Sequence, residues 1–224
     1  MASAQGGIDR LGYRFRDETL LRTALTHRSA ASTNNERLEF LGDALLNTVI
    51  AIELFRRQPD ADEGALSRLR AALVRAETLA ALGRELGLGE ALHLGEGERK
   101  SGGFRRDSIL ADAVEALLGA VYLDSDFDTV AALILRLFAE RLEHLPSAEQ
   151  LKDPKTRLQE RLQRDGQPLP EYELVEASGA DHARRFTVRC RVAALDLECV
   201  ATAGSRRKAE QQAARDCIDR LPTG

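Results

Sequence analysis

Cysteine and large aromatic residues are scarce in this 224-residue chain, and the scarcity excludes two kinds of scaffold. There is no tryptophan, and aromatic residues make up 4% of the sequence. The cysteines Cys190, Cys199 and Cys217 are odd in number, lack C-x-x-C spacing and lie in the last third of the chain. This pattern argues against a disulfide framework and a structural zinc site. We therefore expect the cysteines to be small core residues.

Long apolar runs are also missing. No stretch approaches the roughly 20 consecutive apolar residues that a membrane-spanning helix needs. The first seven residues, Met-Ala-Ser-Ala-Gln-Gly-Gly, contain neither the basic segment nor the apolar segment of a secretion signal. We expect no membrane association and a reducing, cytoplasmic location.

What the chain does contain is a large supply of core-forming and helix-forming residues. Apolar residues make up 43% and charged residues 30%, which is typical of a globular protein with a real core. Alanine, leucine and arginine dominate, so helix should predominate. The length suits one large domain or two small ones.

Charge is unevenly distributed along the chain. The net charge of −4 by itself argues against nucleic-acid binding, but residues 1–150 carry 18 basic and 24 acidic residues, a net of −6. The remainder carries 14 basic and 12 acidic residues, a net of +2. Helical periodicity breaks near residues 144–150, so we predict domains at 1–145 and 153–224 joined by a linker at 146–152. The asymmetry fits a metal site followed by a phosphate-binding module.

The segment Asn35 to Asn47 has the periodicity of a helix with two contrasting sides. One side carries acids and an amide: Glu36, Glu39, Asp43 and Asn47. The other side carries apolar residues: Leu38, Leu41, Leu45, Val49 and Ile52. Like charges four residues apart destabilise a helix, and no lysine or arginine on this face offsets them. A hard divalent cation would offset the repulsion, although a solvated helix face is the commoner explanation for a single acidic stripe.

A second helix with the same pattern, Ser108 to Tyr122, favours the metal hypothesis. Asp112 and Glu115 share one side with Gly119, opposite a set of apolar residues: Leu110, Val114, Leu117 and Val121. Gly119 would permit the close approach of another helix or of a ligand. Two such helices can bring four carboxylates to one point, as in bundle metal sites. The predicted centre consists of Glu39, Asp43, Asp112 and Glu115.

Other segments leave alternatives open. Leu92 to Arg106 is rich in glycine and basic residues, so it could contact a phosphate backbone or be an ordinary loop. His27 could be a catalytic base, but a single histidine near a helix end is more often structural. A cap for the second acidic helix is predicted at Asp107 or Ser108. Phe127 to Leu142 is predicted as one helix.

The last third has the order α-β-β-β-α. A helix is predicted to begin at Asp153-Pro154, and alternating residues predict a strand with Phe186, Val188, Cys190 and Val192 inward. Strands are also predicted around Tyr172 and Leu197. Arg206, Arg207 and Lys208 crowd the first turn of the final helix, where the helix dipole disfavours cations. A bound RNA phosphate would explain this position, whereas surface solubility would explain only the number of charges.

Three motifs resemble those of one known family. Asn35-Glu36-Arg37-Leu38-Glu39-Phe40-Leu41-Gly42-Asp43 is similar to the signature of the ribonuclease III family. Thr26-His27-Arg28-Ser29 and Leu110-Ala111-Asp112-Ala113-Val114-Glu115-Ala116-Leu117 match the same family in order. Gly204-Ser205-Arg206-Arg207-Lys208-Ala209-Glu210 resembles a double-stranded RNA-binding domain. Nearly the whole chain is covered, and the layout is that of the simple bacterial form.

The resemblance implies a fold and an activity. The expected fold is an all-α endonuclease domain followed by a small α+β (α-β-β-β-α) double-stranded RNA-binding domain, and the chain is expected to form a homodimer. The expected reaction is Mg²⁺-dependent hydrolysis of double-stranded RNA to 5′-phosphate and 3′-hydroxyl ends, with Mn²⁺ able to substitute and no small organic cofactor. Processing of rRNA and mRNA precursors is the expected role.

The resemblance also implies roles for individual residues. The metal ligands would be Glu39, Asp43, Asp112 and Glu115, with Asp43 and Glu115 catalytic. Auxiliary acids near the RNA would be Glu36 and Glu63. RNA contacts would come from Gln159, Glu160, His182, Arg206, Arg207 and Lys208. Glu210 departs from the lysine that such domains often have there, which predicts modest RNA affinity for the isolated domain.

Two other functions fit parts of the sequence. A binding-only RNA chaperone would need no metal, so loss of the four acids would leave its activity unchanged. A metal-dependent phosphohydrolase of small nucleotides would have no use for the basic tail. Neither explains the acids and the tail together.

Overall fold

The chain folds into two compact units, residues 1–148 and 149–224. The structure is a computed structural model that describes residues 10–147, 149–179 and 184–221. Unit 1 is helical, and unit 2 is an antiparallel three-stranded sheet with one helix before it and one after it. The predicted fold class is confirmed.

The helices of unit 1 are α1 (Glu18–Ala24), α2 (Glu36–Arg57), α3 (Glu63–Val74), α4 (Ala76–Glu85), α5 (Leu88–Ala91), α6 (Glu96–Lys100), α7 (Asp107–Asp124), α8 (Phe127–Leu137) and α9 (Ala139–Glu143). A short 3₁₀ turn spans Gly103–Arg105. Side-chain caps fix several starts; for example, Asp17 accepts the backbone N–H of Thr19 at 2.8 Å. Among the described residues, no helix combines the length and apolar character needed to cross a membrane.

The core of unit 1 is built around α7. Residues on almost every side of this helix are buried, including Ile109, Val114, Leu118 and Val121. A helix that is apolar nearly all round must be surrounded by other elements. Helices α2 and α4 supply the largest part of that surrounding layer.

Two glycines let α2 and α7 cross at very short range. A Cβ added to Gly42 would overlap the carbonyl oxygen of Glu115, and one added to Gly119 would overlap the carbonyl oxygen of Leu38. Of the two alternatives for Gly119, a helix or a ligand, the structure shows that a helix approaches this residue. The crossing places the acidic side of α2 against the acidic side of α7.

Three local predictions were wrong. The single helix predicted from Phe127 to Leu142 is broken at Phe138, where ψ is 3° and the fully buried ring anchors the turn. The segment Leu92 to Arg106 is not a plain loop, since it contains α6. Neither Asp107 nor Ser108 caps α7, because the N-cap is Arg106 and the Asp107 carboxylate pairs with Arg84.

Unit 2 follows the predicted order: α10 (Pro154–Arg164), β1 (Glu171–Ser178), β2 (Arg185–Val192), β3 (Leu197–Ala203) and α11 (Arg206–Arg220). Both helices pack against one face of the sheet, and Leu158 and Leu162 of α10 are fully buried. All three cysteines are free and buried in this core, as the sequence predicted. Asp153 accepts the N–H of Lys155 at 2.9 Å and Pro154 opens the helix, as expected.

Candidate metal centre and RNA-binding residues

Three of the four predicted metal-ligand acids converge where α2 crosses α7. Glu39 comes from α2, and Asp112 and Glu115 come from α7. One carboxylate oxygen from each lies within 4.8 Å of the others. We call Glu39, Asp112 and Glu115 the three-acid cluster. Each is partly buried, so the carboxylates line a recess and can share one cation.

The pKa of Glu115 is the most strongly perturbed in the cluster. Burial is the largest cause, followed by the charges of Asp43, Glu39 and Asp112, and together they raise this pKa from 4.5 to about 8. Burial disfavours the ionised form, and neighbouring anions disfavour it again. Without a cation, the cluster therefore retains a proton near neutral pH.

The other two acids shift in the same direction. Burial is the first cause of the raised pKa of Glu39, and the charge of Asp112 is the second. Burial also raises the pKa of Asp112, although the nearby charges of His27 and Arg28 lower it in part. Three carboxylates that all disfavour ionisation form a site that a divalent cation would stabilise.

Asp43 is beside the three-acid cluster and is not one of the three convergent groups. Its side chain is exposed, and its Oδ1 accepts the amide of Asn47 at 2.7 Å. The carboxylate still contributes to the raised pKa of Glu115. Asn47, which the sequence placed on the acidic face, thus orients Asp43 one turn along α2.

The predicted auxiliary acids lie outside the cluster. Glu36 is at the start of α2 and forms an ion pair with Arg28 at 3.4 Å. Glu63 is the first residue of α3 and accepts the Ser67 hydroxyl at 2.8 Å. Among the described residues, Glu63 is not one of the acids close enough together to share a metal ion.

A cleft of about 600 Å³ opens next to the cluster. Glu39 and Asp112 line it together with the loop His27–Ser29 and with the first residues of α2 and α7. We call it the α2–α7 cleft. Its size and polar lining suit part of a nucleotide chain. The sequence indicated His27 only as one of two alternatives and gave no signal for the cleft.

The basic residues at the start of α11 are exposed on unit 2. Ser205 caps this helix by accepting the N–H of Lys208 at 3.3 Å. Arg206 is held by Glu210 at 2.9 Å, and Arg207 lies 3.9 Å from Asp153. Glu210, the departure noted in the sequence, also pairs with Lys155 at 2.6 Å and therefore ties α11 to α10.

The remaining predicted RNA contacts differ in accessibility. Gln159 is exposed on α10. Glu160 is paired with Lys152 at 2.6 Å, so an RNA contact would have to compete with this ion pair. His182 lies outside the described residues.

Comparison with known proteins identifies the family. Residues 17–142 match the Ribonuclease-III-like family, and residues 154–221 match the double-stranded RNA binding motif. The chain belongs to the ribonuclease III family. Ribonuclease 3 of Alkalilimnicola ehrlichii is 60% identical over 213 residues, covering 95% of this chain and 93% of that protein. Ribonuclease 3 of Vibrio vulnificus is 57% identical over 214 residues, covering 96% and 95% respectively.

Solved structures of the same family match unit 1. The nuclease domain of ribonuclease III from Campylobacter jejuni is 40% identical with a TM-score of 0.61, covering 65% of this chain and all of that one. A second structure of that domain, described for structural flexibility in a region involved in dimer formation, is 43% identical with a TM-score of 0.59. It covers 60% of this chain and 95% of its own. The helical unit of this chain thus has the ribonuclease III nuclease fold.

Proposed function

We propose that this chain is an endoribonuclease that cleaves double-stranded RNA by metal-dependent hydrolysis. The observation that carries the proposal is the convergence of Glu39, Asp112 and Glu115 from two crossing helices. Family membership supports the nuclease activity, and the double-stranded RNA binding motif in unit 2 supports a duplex substrate.

The three-acid cluster is the proposed site for Mg²⁺, with Mn²⁺ able to substitute. All three donors are carboxylates, the ligands that hard cations prefer. Burial is the first cause of the raised pKa of each, and a bound cation would favour the ionised forms. Asp43 is the fourth proposed ligand, since Asn47 holds its carboxylate beside the cluster. A bound divalent cation would supply Lewis-acid activation of water and stabilise the leaving oxygen.

The proposed reaction breaks the bond between phosphorus and the 3′ oxygen. Water adds to the phosphorus, and the products carry a 5′-phosphate and a 3′-hydroxyl. Asp43 and Glu115 are the proposed catalytic residues. Glu36 and Glu63 are proposed as auxiliary acidic residues near the RNA.

Unit 2 is proposed to hold the duplex. Arg206, Arg207 and Lys208 would bind phosphates at the helix N-terminus. Gln159, Glu160 and His182 would contact the minor groove, where 2′-hydroxyl groups distinguish RNA from DNA. Residues 146–152 are the proposed linker between the domains 1–145 and 153–224.

A homodimer is proposed because one site cuts one strand, and a twofold pair supplies two sites for a duplex. Phe40 on α2 is 79% exposed and Leu123 on α7 is 54% exposed. Both residues line a largely apolar recess of about 940 Å³ on the same surface. An exposed patch of this kind marks an interaction surface. The Campylobacter jejuni nuclease domain, which is described as having a region involved in dimer formation, supports the proposal of a dimer without locating its interface.

The proposed setting is the cytoplasm, with rRNA and mRNA precursors as substrates. Folded precursor transcripts provide the long duplex segments that the two units together would recognise. Incubation with total precursor RNA, followed by sequencing of new 5′ ends, tests this part of the proposal, and cuts confined to single-stranded regions would contradict it.

The experiment that tests the activity uses three substrates of one sequence: duplex RNA, single-stranded RNA and duplex DNA. We expect cleavage of duplex RNA alone, in Mg²⁺ or Mn²⁺ and not in EDTA, with 5′-phosphate and 3′-hydroxyl ends. Glu115→Gln should abolish cleavage and retain duplex binding, while the control Glu53→Gln, on α2 outside the cluster, should cleave normally. Cleavage by Glu115→Gln at the wild-type rate would contradict the catalytic role of the three-acid cluster, and a wild type that binds duplex RNA without cleaving it would support the binding-only alternative.

A further inference from the structure

His27 is held in place by hydrogen bonds beside the α2–α7 cleft, and the proposed function gives it no role. Its backbone N–H donates to the carbonyl oxygen of His93 at 3.0 Å, which fixes the start of the loop His27–Ser29. His27 lines the α2–α7 cleft alongside Glu39 and Asp112, and its charge acts on the Asp112 carboxyl.

The neighbours of His27 determine which ring nitrogen carries the proton. Nδ1 accepts the backbone N–H of Ser29 at 3.2 Å and lies 2.8 Å from the Ser29 hydroxyl. That hydroxyl accepts the N–H of Gly95 at 3.0 Å, so its own proton is free to point at Nδ1. A backbone N–H can only donate, so Nδ1 must be the acceptor. The proton of the neutral ring is therefore on Nε2.

The arrangement is fixed by close packing around Gly95. A Cβ at this position would overlap the carbonyl oxygen of Ser29, so only glycine allows the contact. Among the described residues, Nε2 of His27 has no hydrogen-bond partner. The loop thus holds a ring whose free donor is oriented and unused.

The cleft has two walls with opposite preferences. The acidic wall, Glu39 and Asp112, suits a cation. The other wall carries donors: Nε2 of His27, and the amide of Asn35, which is 2% exposed and whose Nδ2 has no hydrogen-bond partner in the part of the chain that the structure describes. A buried donor left unpaired is costly, so it points to an oxygen-bearing ligand. The N-terminal ends of α2 and α7, which favour anions, also open into this cleft.

The two arginines of the cleft do not replace these donors. Arg28 pairs with Glu36 at 3.4 Å, and Arg106 pairs with Glu98 at 2.7 Å. Their charges are offset locally by carboxylates. A phosphate entering the cleft would therefore meet a cation site on one side and N–H donors on the other.

From this geometry we infer that His27 is a substrate-binding residue of the cleavage site, donating through Nε2–H to a phosphate oxygen of the RNA strand next to the cut. Ser29 and Gly95 are positioning residues that fix the tautomer. The inference rests on the proposed function, because it places the RNA backbone in the cleft beside the three-acid cluster.

Two substitutions of His27 separate binding from a structural role. His27→Asn keeps an acceptor where Nδ1 was and loses the Nε2 donor, whereas His27→Gln restores a donor near the Nε2 position. We expect His27→Asn to raise KM for duplex RNA about 10-fold, the value of one hydrogen bond to a charged group, with a smaller change in kcat. His27→Gln should recover most of this loss, and the control His144→Gln should match the wild type.

Phosphorothioate RNA supplies a readout that a structural role would not change. Sulfur replacing one non-bridging oxygen next to the cut should weaken the wild type, and the same sulfur should add little to the defect of His27→Asn. Exchange of Mg²⁺ for the softer Cd²⁺ should rescue sulfur at a metal-bound oxygen and not at the His27-bound oxygen. If His27→Asn does not fold, His27→Gln is compared with the wild type on these substrates. Because Gln restores the donor, His27→Gln should keep the sulfur-sensitive position, and its loss would overturn the inference.

Wild-type KM in folded His27→Asn, or equal effects of Asn and Gln, would overturn the inference while leaving the nuclease proposal in place. The absence of any sulfur-sensitive position that resists Cd²⁺ rescue would also overturn it. Failure of the wild type to cleave duplex RNA in Mg²⁺ would instead overturn the proposed function, and this inference with it.

Discussion

At the scale of single residues, the main feature is the cost of placing three carboxylates together. Glu115 is the most strongly affected, with a pKa of about 8 caused first by burial and then by the charges of Asp43, Glu39 and Asp112. Protein stability alone gives no reason to concentrate like charges in a recess. A divalent cation gives one, because it replaces the lost hydration and offsets the repulsion.

The raised pKa of Glu115 makes stability and metal binding depend on pH in opposite ways. As pH rises from 4.5 to about 8, the unfolded chain ionises this carboxyl while the folded chain stays protonated, so the metal-free protein loses stability over this range. A proton must leave before a cation binds, so Mg²⁺ affinity rises over the same range. We expect the increase in Tm on addition of Mg²⁺ to grow from pH 5 to about pH 8.

Thermal unfolding at several pH values, with and without Mg²⁺, checks this prediction. In Glu115→Gln the pH dependence of the Mg²⁺ effect should be much smaller. A Tm increase that is constant with pH would contradict the role assigned to this carboxyl.

At the scale of elements, the site depends on the crossing of α2 and α7. Gly42 and Gly119 allow backbone carbonyls of one helix to approach the Cα atoms of the other. The acids Glu39, Asp112 and Glu115 flank these glycines, so the distance between the helices sets the distance between the carboxylates. The glycines thus determine the geometry of the metal site as well as the packing.

Gly119→Ala should damage both packing and activity. The new methyl group would overlap the carbonyl of Leu38, and insertion of a methyl into such a contact costs about 1–3 kcal/mol of stability. Separation of the helices would also loosen the three-acid cluster. We expect a lower Tm and weaker Mg²⁺ binding, measured by thermal unfolding and calorimetry.

Gly97→Ala is the matched control, because a Cβ there meets nothing within 4 Å. It should leave Mg²⁺ binding unchanged and not lower Tm, since alanine favours helix over glycine. Equal behaviour of the two variants would show that the α2–α7 crossing does not control the site.

The N-terminus of α11 is a second functional element. Neutralising Arg206, Arg207 and Lys208 to glutamine should weaken duplex binding and reduce the slope of log K against log salt by about one for each lost phosphate contact. Arg215→Gln, an exposed cation in the middle of the same helix, serves as the control. An unchanged salt slope in the triple variant would remove these residues from the RNA interface.

How far the sequence predicts these elements depends on the range of the interaction involved. Helical periodicity relates residues one turn apart, so it placed Glu39 with Asp43 and Asp112 with Glu115, and it predicted the alternating strand from Phe186 to Val192. The crossing angle and distance of α2 and α7 are tertiary properties. The sequence therefore did not show that Asp43 would face Asn47 instead of joining the convergent three.

The predictions that were wrong have similar causes. Periodicity predicts that Phe138 faces inward, as it does, but it does not predict the non-helical backbone at this residue that ends α8. Helix α6 arises in a glycine-rich segment that packs against the loop at Ser29, a contact between residues distant in sequence. The contact between Ser29 and Gly95 also places the proton of His27 on Nε2. Because it joins residues distant in sequence, the sequence alone left two alternatives for His27.

At the scale of the whole molecule, the proposal requires two copies of the chain. Exposed Phe40 of α2 and Leu123 of α7 line a largely apolar recess. A twofold interface uses the same surface on both partners, so each Phe40 could enter the recess of the other copy. This pairing would provide one site for each strand of the duplex.

Phe40→Asp should convert the proposed dimer to a monomer, because it places a charge in an apolar interface. Light scattering coupled to size-exclusion chromatography measures the mass, and we expect loss of coordinated double-strand cleavage together with the dimer. Val200→Asp, at a position 53% exposed on unit 2, should remain dimeric. A wild-type protein that is monomeric with full activity would contradict this assembly.

The central claim is that acids from two crossing helices hold a divalent cation. Crystals of the protein grown with Mn²⁺, measured at the manganese absorption edge, test it most directly. The account predicts an anomalous peak in contact with Glu39, Asp112 and Glu115, and none in crystals of Glu115→Gln. A peak elsewhere in the molecule, with the three carboxylates free of metal, would contradict it.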